Sequence, residues 1–377
     1  MTRIAVLHWH TSSVGGINTT LQTLRAEALS RGDEFDILAS DPQKTKQPGK
    51  FVKRQRVRGG DTFITIDGLA PHHPNNVKAS IAFLKREYDV VVLSFLCPHP
   101  TKAYGDEPLF MPLLQGIKDA GIPIVGYIHD AYWDSYKEFG ELVLPLCVRT
   151  MVAQKAYGEP LEAKGYKVST AYLPFRPLVD DPVVKREMNL VAWIPQWKNI
   201  KGIYKFWDDI RRAQSRGYHV ELYGNGIEYY NIRKSEDPEI GWKTVVGKDH
   251  FAPDYSGTGL AEFFGCIHET EIPRVLSRAA FMADFQGSGN PKYAAYRNGS
   301  YNHTIIEALY YGCVPIVHTN MLKSSIPNHL LAATDTPEKW SDVAAAFDVA
   351  NYDRAGAREY VIKNHSAAVL YDRILGR

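Results

Sequence analysis

The sequence predicts an α/β protein of two parallel-sheet halves, and three observations carry that prediction. Short β-branched or apolar runs alternate with segments of helical period over most of the 377 residues, the pattern that strand-helix-strand connections and a parallel sheet produce. Some runs are apolar without a break, Asp89 to Phe95 (DVVVLSF) most clearly, which marks strands covered on both faces. Midway, Pro174 to Asp181 and then Pro182 interrupt the alternation with three prolines. This stretch reads as a linker or hinge, after which the pattern starts again.

In the first half, Arg3 to Trp9 reads as a strand, and an amphipathic helix runs from about Asn18 to a stop at Gly32. Strands come next at Phe35 to Ala39 and Thr62 to Ile66, then a helix over Asn76 to Glu87, the strand Asp89 to Phe95, a helix near Pro112 to Ala120, and the strand Ile122 to Ile128. In the second half the strands are Leu190 to Ile194, His219 to Tyr223, Thr244 to Val246, Phe281 to Phe285 and Val314 to His318. One continuous helix is expected over Ile203 to Arg216, closed by Gly217, with others at Glu271 to Ala279 and His303 to Tyr311. Helices are expected to fill most of the chain beyond His318.

Composition narrows the class. A net charge of +2 excludes a globally polycationic protein, so any basic surface comes from local clustering. Cys97, Cys147, Cys266 and Cys313 are scattered and form no C-x-x-C pair, which suits a reducing cytoplasm and argues against a structural zinc site. His8 and His10 alternate on the first strand without a further ligand nearby, so no metal is expected. The apolar run at the N-terminus is too short for a signal peptide, and no run reaches the length of a membrane span.

Five segments could carry chemistry. Ser13-Val14-Gly15-Gly16-Ile17-Asn18 joins the first strand to a helix; its glycines allow close backbone approach, and a helix start favours an anion. It is neither G-x-G-x-x-G nor a phosphate-binding loop with G-K-[ST], and a tight strand-to-helix turn explains it equally well. His129-Asp130 ends the strand IVGYI, the end at which open parallel sheets hold ligands. There an imidazole and a carboxylate can take a proton or orient a substrate; otherwise Asp130 caps a helix and His129 belongs to the core. Trp193 to Gly202 (WIPQWKNIKG) leaves a strand for a helix, and a lysine there can neutralise a diphosphate leaving group or simply be solvated. Glu307, on a short helix that leads through G-C-V-P-I-V into a strand, is flanked by apolar residues; a carboxylate so placed accepts hydrogen bonds from ribose hydroxyls. Finally, Pro42 to Gly60 holds Lys44, Lys46, Lys50, Lys53, Arg54, Arg56 and Arg58 and no acidic residue. It reads as a loop, either solvated or tracking a nucleic-acid backbone. The architecture by itself suits a glycosyltransferase, a sugar-nucleotide epimerase, a periplasmic-type binding protein or a dehydrogenase.

Taken in order, these segments resemble the retaining GT-B glycosyltransferases, and within them the DNA-modifying members found in bacteriophages. The resemblance rests on the V-G-G turn, strand-end I-H-D, the W-I…K-G turn, E-L-Y-G-N at Glu221 to Asn225, and E-A-L-Y-Y-G-C-V-P-I-V from Glu307. It implies two Rossmann-like domains facing across a cleft. The expected division is an acceptor domain at 1–176 completed by a C-terminal helix at 355–377, a hinge at 177–187, and a nucleotide-sugar domain at 188–354.

The implied substrates are a UDP-sugar donor and double-stranded DNA carrying 5-hydroxymethylcytosine or 5-hydroxymethyluracil; the implied setting is the cytoplasm of an infected host. A glycan, lipid or small-molecule acceptor is the alternative, and a non-transferring epimerase or binding module a third. The resemblance gives Gly15 and Gly16 to the donor cleft, Asp130 to proton acceptance with His129 beside it, Lys201 to the diphosphate, and Glu307 to the ribose. Tyr223, Gly224 and Asn225 fall on the nucleotide side. Lys44 to Arg58 would position the duplex, and Tyr132 and Trp133 would stack on or wedge behind a flipped base. No cofactor is required, and a monomer suffices. In two places the chain departs from the family. Gln196 stands where an arginine is usual, with Lys198 two residues on, and Gly299 stands where many relatives carry a second glutamate.

Overall fold

The computed structural model describes residues 1–8, 16–39, 52–58, 61–67, 74–94, 111–129, 141–177, 182, 184–194, 203–224, 227–236, 243–244, 261–285, 299 and 301–377. These form two compact units, Met1–Pro174 with Ser366–Arg377, and Phe175–His365.

The first unit is built on a six-stranded sheet. Its strands are β1 (Arg3–His8), β2 (Glu34–Ala39), β5 (Val90–Ser94), β6 (Ile124–Ile128), β7 (Arg149–Val152) and β8 (Ser169–Thr170), in the order β2-β1-β5-β6-β7-β8. All pairings are parallel. Every residue of β5 and β6 is buried, as unbroken apolar runs demand when helices cover both faces. Helix α1 (Gly16–Ser30) leads from β1 to β2. The order reverses between β1 and β5, so the carboxyl ends of β1, β5 and β6 surround a topological switch point, where such sheets hold ligands.

The chain terminus closes this unit. On the last helix, Ala367–Leu375, Tyr371 donates its hydroxyl to Asp33 at 2.8 Å, and Arg149 reaches the helix's final carbonyls, Ile374 O at 2.8 Å. Gly376 ends the helix at φ 75°, a left-handed cap that glycine adopts without a steric penalty.

The second unit holds a seven-stranded sheet of β9 (Glu187–Trp193), β10 (His219–Tyr223), β11 (Lys243–Thr244), β12 (Ala261–Gly265), β13 (Ala279–Asp284), β14 (Val314–His318) and β15 (Ala332–Thr334). The order is β11-β12-β10-β9-β13-β14-β15, parallel throughout. Its switch point lies between β9 and β13. The segment carrying Gln196, Lys198 and Lys201 leaves the carboxyl end of β9, and Gly224 leaves that of β10.

Two local expectations are corrected. The single helix expected over 203–216 is two, Ile203–Asp208 and Ile210–Ser215. The indole of Trp340 donates to Phe206 O at 2.8 Å, taking the carbonyl that would accept from Ile210 in an unbroken helix. Buried Asp209 accepts from Ser341 N at 2.6 Å. Tertiary partners therefore replace the helical bond at that point.

The basic loop expected over 42–60 is, over its second part, a strand. β3 (Val52–Arg58) pairs antiparallel with β4 (Asp61–Asp67) as a two-stranded ribbon, and β4 lies beside β2. Gly59-Gly60 between two extended runs is a hairpin signal, hidden by the run of like charge. β15 and several 3-10 turns also stand in the C-terminal stretch expected to be helical. Residues 245 and 246 of the expected third strand of that half lie outside the described residues.

Candidate functional site

In the first unit, β5 and β6 bring two polar groups together at their carboxyl ends. His129 directly follows β6, is buried, and its Nε2 lies 2.9 Å from Ser94 Oγ at the end of β5. Its ring packs on Tyr127 with centroids 5.5 Å apart. The imidazole is thereby fixed in position by a strand-end hydroxyl, which donates or accepts according to the tautomer. Ser94 was not among the expected site residues; a lone polar residue closing an apolar run is the signal that points to it. Gly16 opens α1, the helix that follows β1 in the chain. Gly15, Asp130, Tyr132 and Trp133 lie outside the described residues.

In the second unit, Glu307 sits half-buried on the helix His303–Tyr310, between buried Ile306 and Ala308. Both ends of this helix are fixed. At the start, Asn302 accepts from Ile305 N at 3.2 Å, and its amide donates to buried Asp284 at the end of β13, 2.5 Å away. At the finish, Cys313 N donates to Ala308 O at 2.8 Å and Gly312 N to Leu309 O at 3.2 Å, with Gly312 at φ 72°. That is a Schellman stop leading straight into β14. The sequence E-A-L-Y-Y-G-C-V-P-I-V is thus a helix, its left-handed cap and a buried strand in one run. Arg358 donates to Tyr310 Oη at 2.9 Å, and Phe175 lies against the same ring, centroids 4.7 Å apart.

Gly299 has φ 84°, and a Cβ on it would stand 2.5 Å from Ser324 N and 2.8 Å from Lys323 C. A side chain at this position is therefore excluded sterically, because backbone closes over it. Gly299→Glu is expected to lower the melting temperature of this unit, since a left-handed φ costs about 1–3 kcal/mol for other residues and the neighbour is main chain. A thermal melt checks it; a variant that melts with the wild type would show the position to be open after all.

Tyr223 is fully buried; its hydroxyl donates to Glu221 at 2.5 Å, and its ring stacks on Phe264. Its side chain therefore belongs to the interior, and the strand ends just before Gly224, which has φ 122° and its N–H on Gly265 O at 2.8 Å. Beneath it lies a buried ionic network that sequence reasoning missed. Glu221 and Glu262 are direct partners across β10 and β12, and like charges so placed repel. His219 Nε2 stands 3.1 Å from Glu262 and 3.5 Å from Glu221. Arg278 pairs with Glu221 and lies 3.6 Å from Glu187.

Burial opposes the charge on His219, but Glu221 and Glu262 outweigh it and its pKa is pushed up to about 9. Among the described residues, His219, Glu221 and Glu262 are the one group whose ligand atoms approach closely enough, within 4.8 Å, to share a metal ion. Arg278 on Glu221 and His219 against both carboxylates give the group the arrangement of an ionic brace between β10, β12 and the end of the helix Ile272–Arg278.

Gln196, Lys198, Lys201, Asn225, Lys44, Lys46 and Lys50 lie outside the described residues. Lys53, Arg54, Arg56 and Arg58 are on β3, whose backbone is described. No helix among the described residues is long and apolar enough to cross a membrane.

No family model and no curated protein sequence matches the chain. Solved structures do, over its whole length. An alpha-glucosyltransferase in complex with UDP and a 13-mer DNA containing an HMU base is 16% identical with a TM-score of 0.67, covering 99% of each chain. HepE of Anabaena, in complex with UDP and glucose, is 10% identical at 0.63, covering 100% of this chain and 99% of its own. The catalytic domain of starch synthase IV of Arabidopsis thaliana, bound to ADP and acarbose, is 11% identical at 0.57, with the same coverage. At such identities the likeness is one of fold, and with two Rossmann-like units whose sheets reverse order at a switch point, the chain has the GT-B fold.

Proposed function

We propose that this protein is a UDP-sugar-dependent glycosyltransferase that moves a hexose, glucose in the first instance, onto the hydroxymethyl group of 5-hydroxymethylcytosine or 5-hydroxymethyluracil in duplex DNA, with retention, in the cytoplasm of a phage-infected cell. The observation that carries this reading is the full-length likeness to an alpha-glucosyltransferase holding both UDP and HMU-containing DNA. A basic segment without acids, on the unit that lacks Glu307, supports it.

In this reading Glu307, held by a helix capped at both ends, accepts hydrogen bonds from the ribose hydroxyls. Lys201, with Lys198 and Gln196 in the same stretch of sequence, meets the diphosphate as charge develops on the leaving group. Gly224 and Asn225 line the nucleotide side, and Gly15 and Gly16 allow the donor to approach the backbone. Asp130 takes the proton of the hydroxymethyl oxygen, with His129 fixed beside it. A base inside a duplex is out of reach, so it flips out and stacks against Tyr132 and Trp133. The protein acts as a monomer and needs no metal.

The test offers UDP-sugars with duplex DNA carrying each hydroxymethylated pyrimidine, beside plain DNA, and reads nucleoside masses after digestion. One modified nucleoside is expected to gain a hexose mass. Neutralising Lys53, Arg54, Arg56 and Arg58 to Ala is expected to abolish that gain while UDP binding persists. Turnover on a glycan, lipid or small molecule with none on any DNA would move the acceptor away from DNA; the likeness to HepE, at nearly the same TM-score, makes that the reading to exclude.

A further inference from the structure

The arginines of the basic segment are ordered by a ladder. In the register of β3 on β4, Val52 faces Asp67, Arg54 faces Thr65, Arg56 faces Phe63 and Arg58 faces Asp61. Between them Lys53 faces Ile66, Gln55 faces Ile64 and Val57 faces Thr62. Successive residues of a strand alternate between faces, and directly opposed residues share one. The ladder thus sorts the ribbon into two unlike sides. One carries Arg54, Arg56 and Arg58 in a row on β3, with Asp61 and Asp67 at the two ends of the β4 side. The other carries Val57, Ile64 and Ile66, with Lys53 as its single charge. Read as a loop, residues 52–58 hold four equivalent cations; the pairing sets the three arginines in one row and Lys53 apart.

The spacing of the row bears on what it meets. Alternate residues of an antiparallel strand stand about 6.8 Å apart. Successive phosphates of one DNA strand rise about 3.4 Å along the axis, and winding around the helix brings their separation close to the same value. A two-stranded ribbon is also narrow enough for the major groove of B-DNA, about 12 Å wide. β4 runs beside β2 of the six-stranded sheet, so the ribbon is attached to the domain rather than hanging from it.

We propose that the β3–β4 ribbon is the duplex-positioning element, and that its Arg54-Arg56-Arg58 face lies along consecutive phosphates of one DNA strand. This rests on the reading of duplex DNA as acceptor and specifies the element and the face by which DNA is held. The contacts are to backbone phosphates, so they fix the register of the duplex without reading its sequence.

The test is the salt dependence of binding to a hydroxymethyluracil duplex, for the full-length protein with UDP present. Removing three phosphate contacts, as Arg54→Ala, Arg56→Ala and Arg58→Ala together, is expected to flatten the log–log salt slope by roughly 2.7, at about 0.9 per phosphate. Between about 50 and 200 mM salt that is roughly 40-fold less loss of affinity than the wild type shows. Replacing the same three arginines with lysine is expected to keep the slope. Adding one arginine separates ribbon from loop: Thr65→Arg, opposite Arg54, steepens the slope by about 0.9, whereas Gln55→Arg on the other face does not change it.

UDP affinity, measured in parallel, reports whether each variant is folded. A wild type without affinity for any duplex overturns the DNA reading itself. A wild type that binds DNA, with Gln55→Arg and Thr65→Arg equally effective or with the alanine triple leaving the slope unchanged, overturns the ribbon and leaves that reading standing.

Discussion

Arg278→Met is expected to destabilise the second unit by about 3–5 kcal/mol, the usual cost of leaving a buried charge without its partner. Arg278 is itself largely buried and pairs with Glu221, which is fully buried on the central part of β10. Methionine keeps the aliphatic stem and removes only the guanidinium, so the loss is electrostatic. Glu221 then faces Glu262 across the ladder with His219 left to offset both. In a unit of this size the cost corresponds to a melting temperature lower by roughly 6–20 °C. Combining Arg278→Met with Glu221→Gln removes the stranded charge and is expected to recover most of the loss. A single variant that melts within about 2 °C of wild type, far less than the shift expected for a unit of this size, would mean that water, not Arg278, compensates Glu221.

The same network sets a pH dependence with a definite sign. The folded-state pKa of His219 is raised to about 9 from an unfolded value near 6.5. Its contribution to stability is therefore complete below about pH 6.5 and fades as pH rises through 9, because the unfolded chain gives up that proton first. Melting temperature is expected to fall across pH 6.5–9, and His219→Gln to remove that part of the slope. If the slope survives the substitution, another group is responsible.

Most of the fold was legible because its signal is local. β14 spans Val314–His318, the residues that the apolar run after Gly312 marks, and β5 and β6 fall within their runs. Where the structure departs from expectation, a distant partner decides. The helix break at Asp209 depends on Trp340 and Ser341, more than a hundred residues on, and no periodicity within 203–216 encodes it. The ribbon was obscured because K-R-Q-R lacks the apolar alternation by which strands are usually recognised. The ionic network joins His219, Glu221, Glu262 and Arg278 from two strands and a helix end, and its members look like ordinary surface charges until the sheet brings them together. At the candidate site the sequence picked out Glu307 and His129 by position relative to strands. It passed over Asn302 and Asp284, which carry no motif of their own, and Ser94, whose place at the end of an apolar run was the one local signal among the three.

The second large effect is expected at Asp130. Asp130→Asn keeps the size and shape of the side chain and removes only its capacity to take a proton. In the proposed reading Asp130 is the general base, worth about 10²–10⁴ in rate, so turnover on hydroxymethylated duplex is expected to fall by that much while UDP affinity stays within about twofold of wild type. The placement of its neighbour supports this. β6 ends at Ile128, and His129 follows at the carboxyl end of the sheet, where ligands gather, with its ring held by Ser94 and Tyr127; Asp130 is the next residue in the sequence. Glu307→Gln supplies the contrast, since in the proposed arrangement it weakens ribose binding and so raises the donor KM more than it lowers kcat. Kinetics on both substrates with UDP calorimetry separate the two. Loss of UDP binding in Asp130→Asn would place that carboxylate in donor binding, and unchanged turnover would pass the role of proton acceptor to a group on the donor itself, such as an oxygen of the departing phosphate.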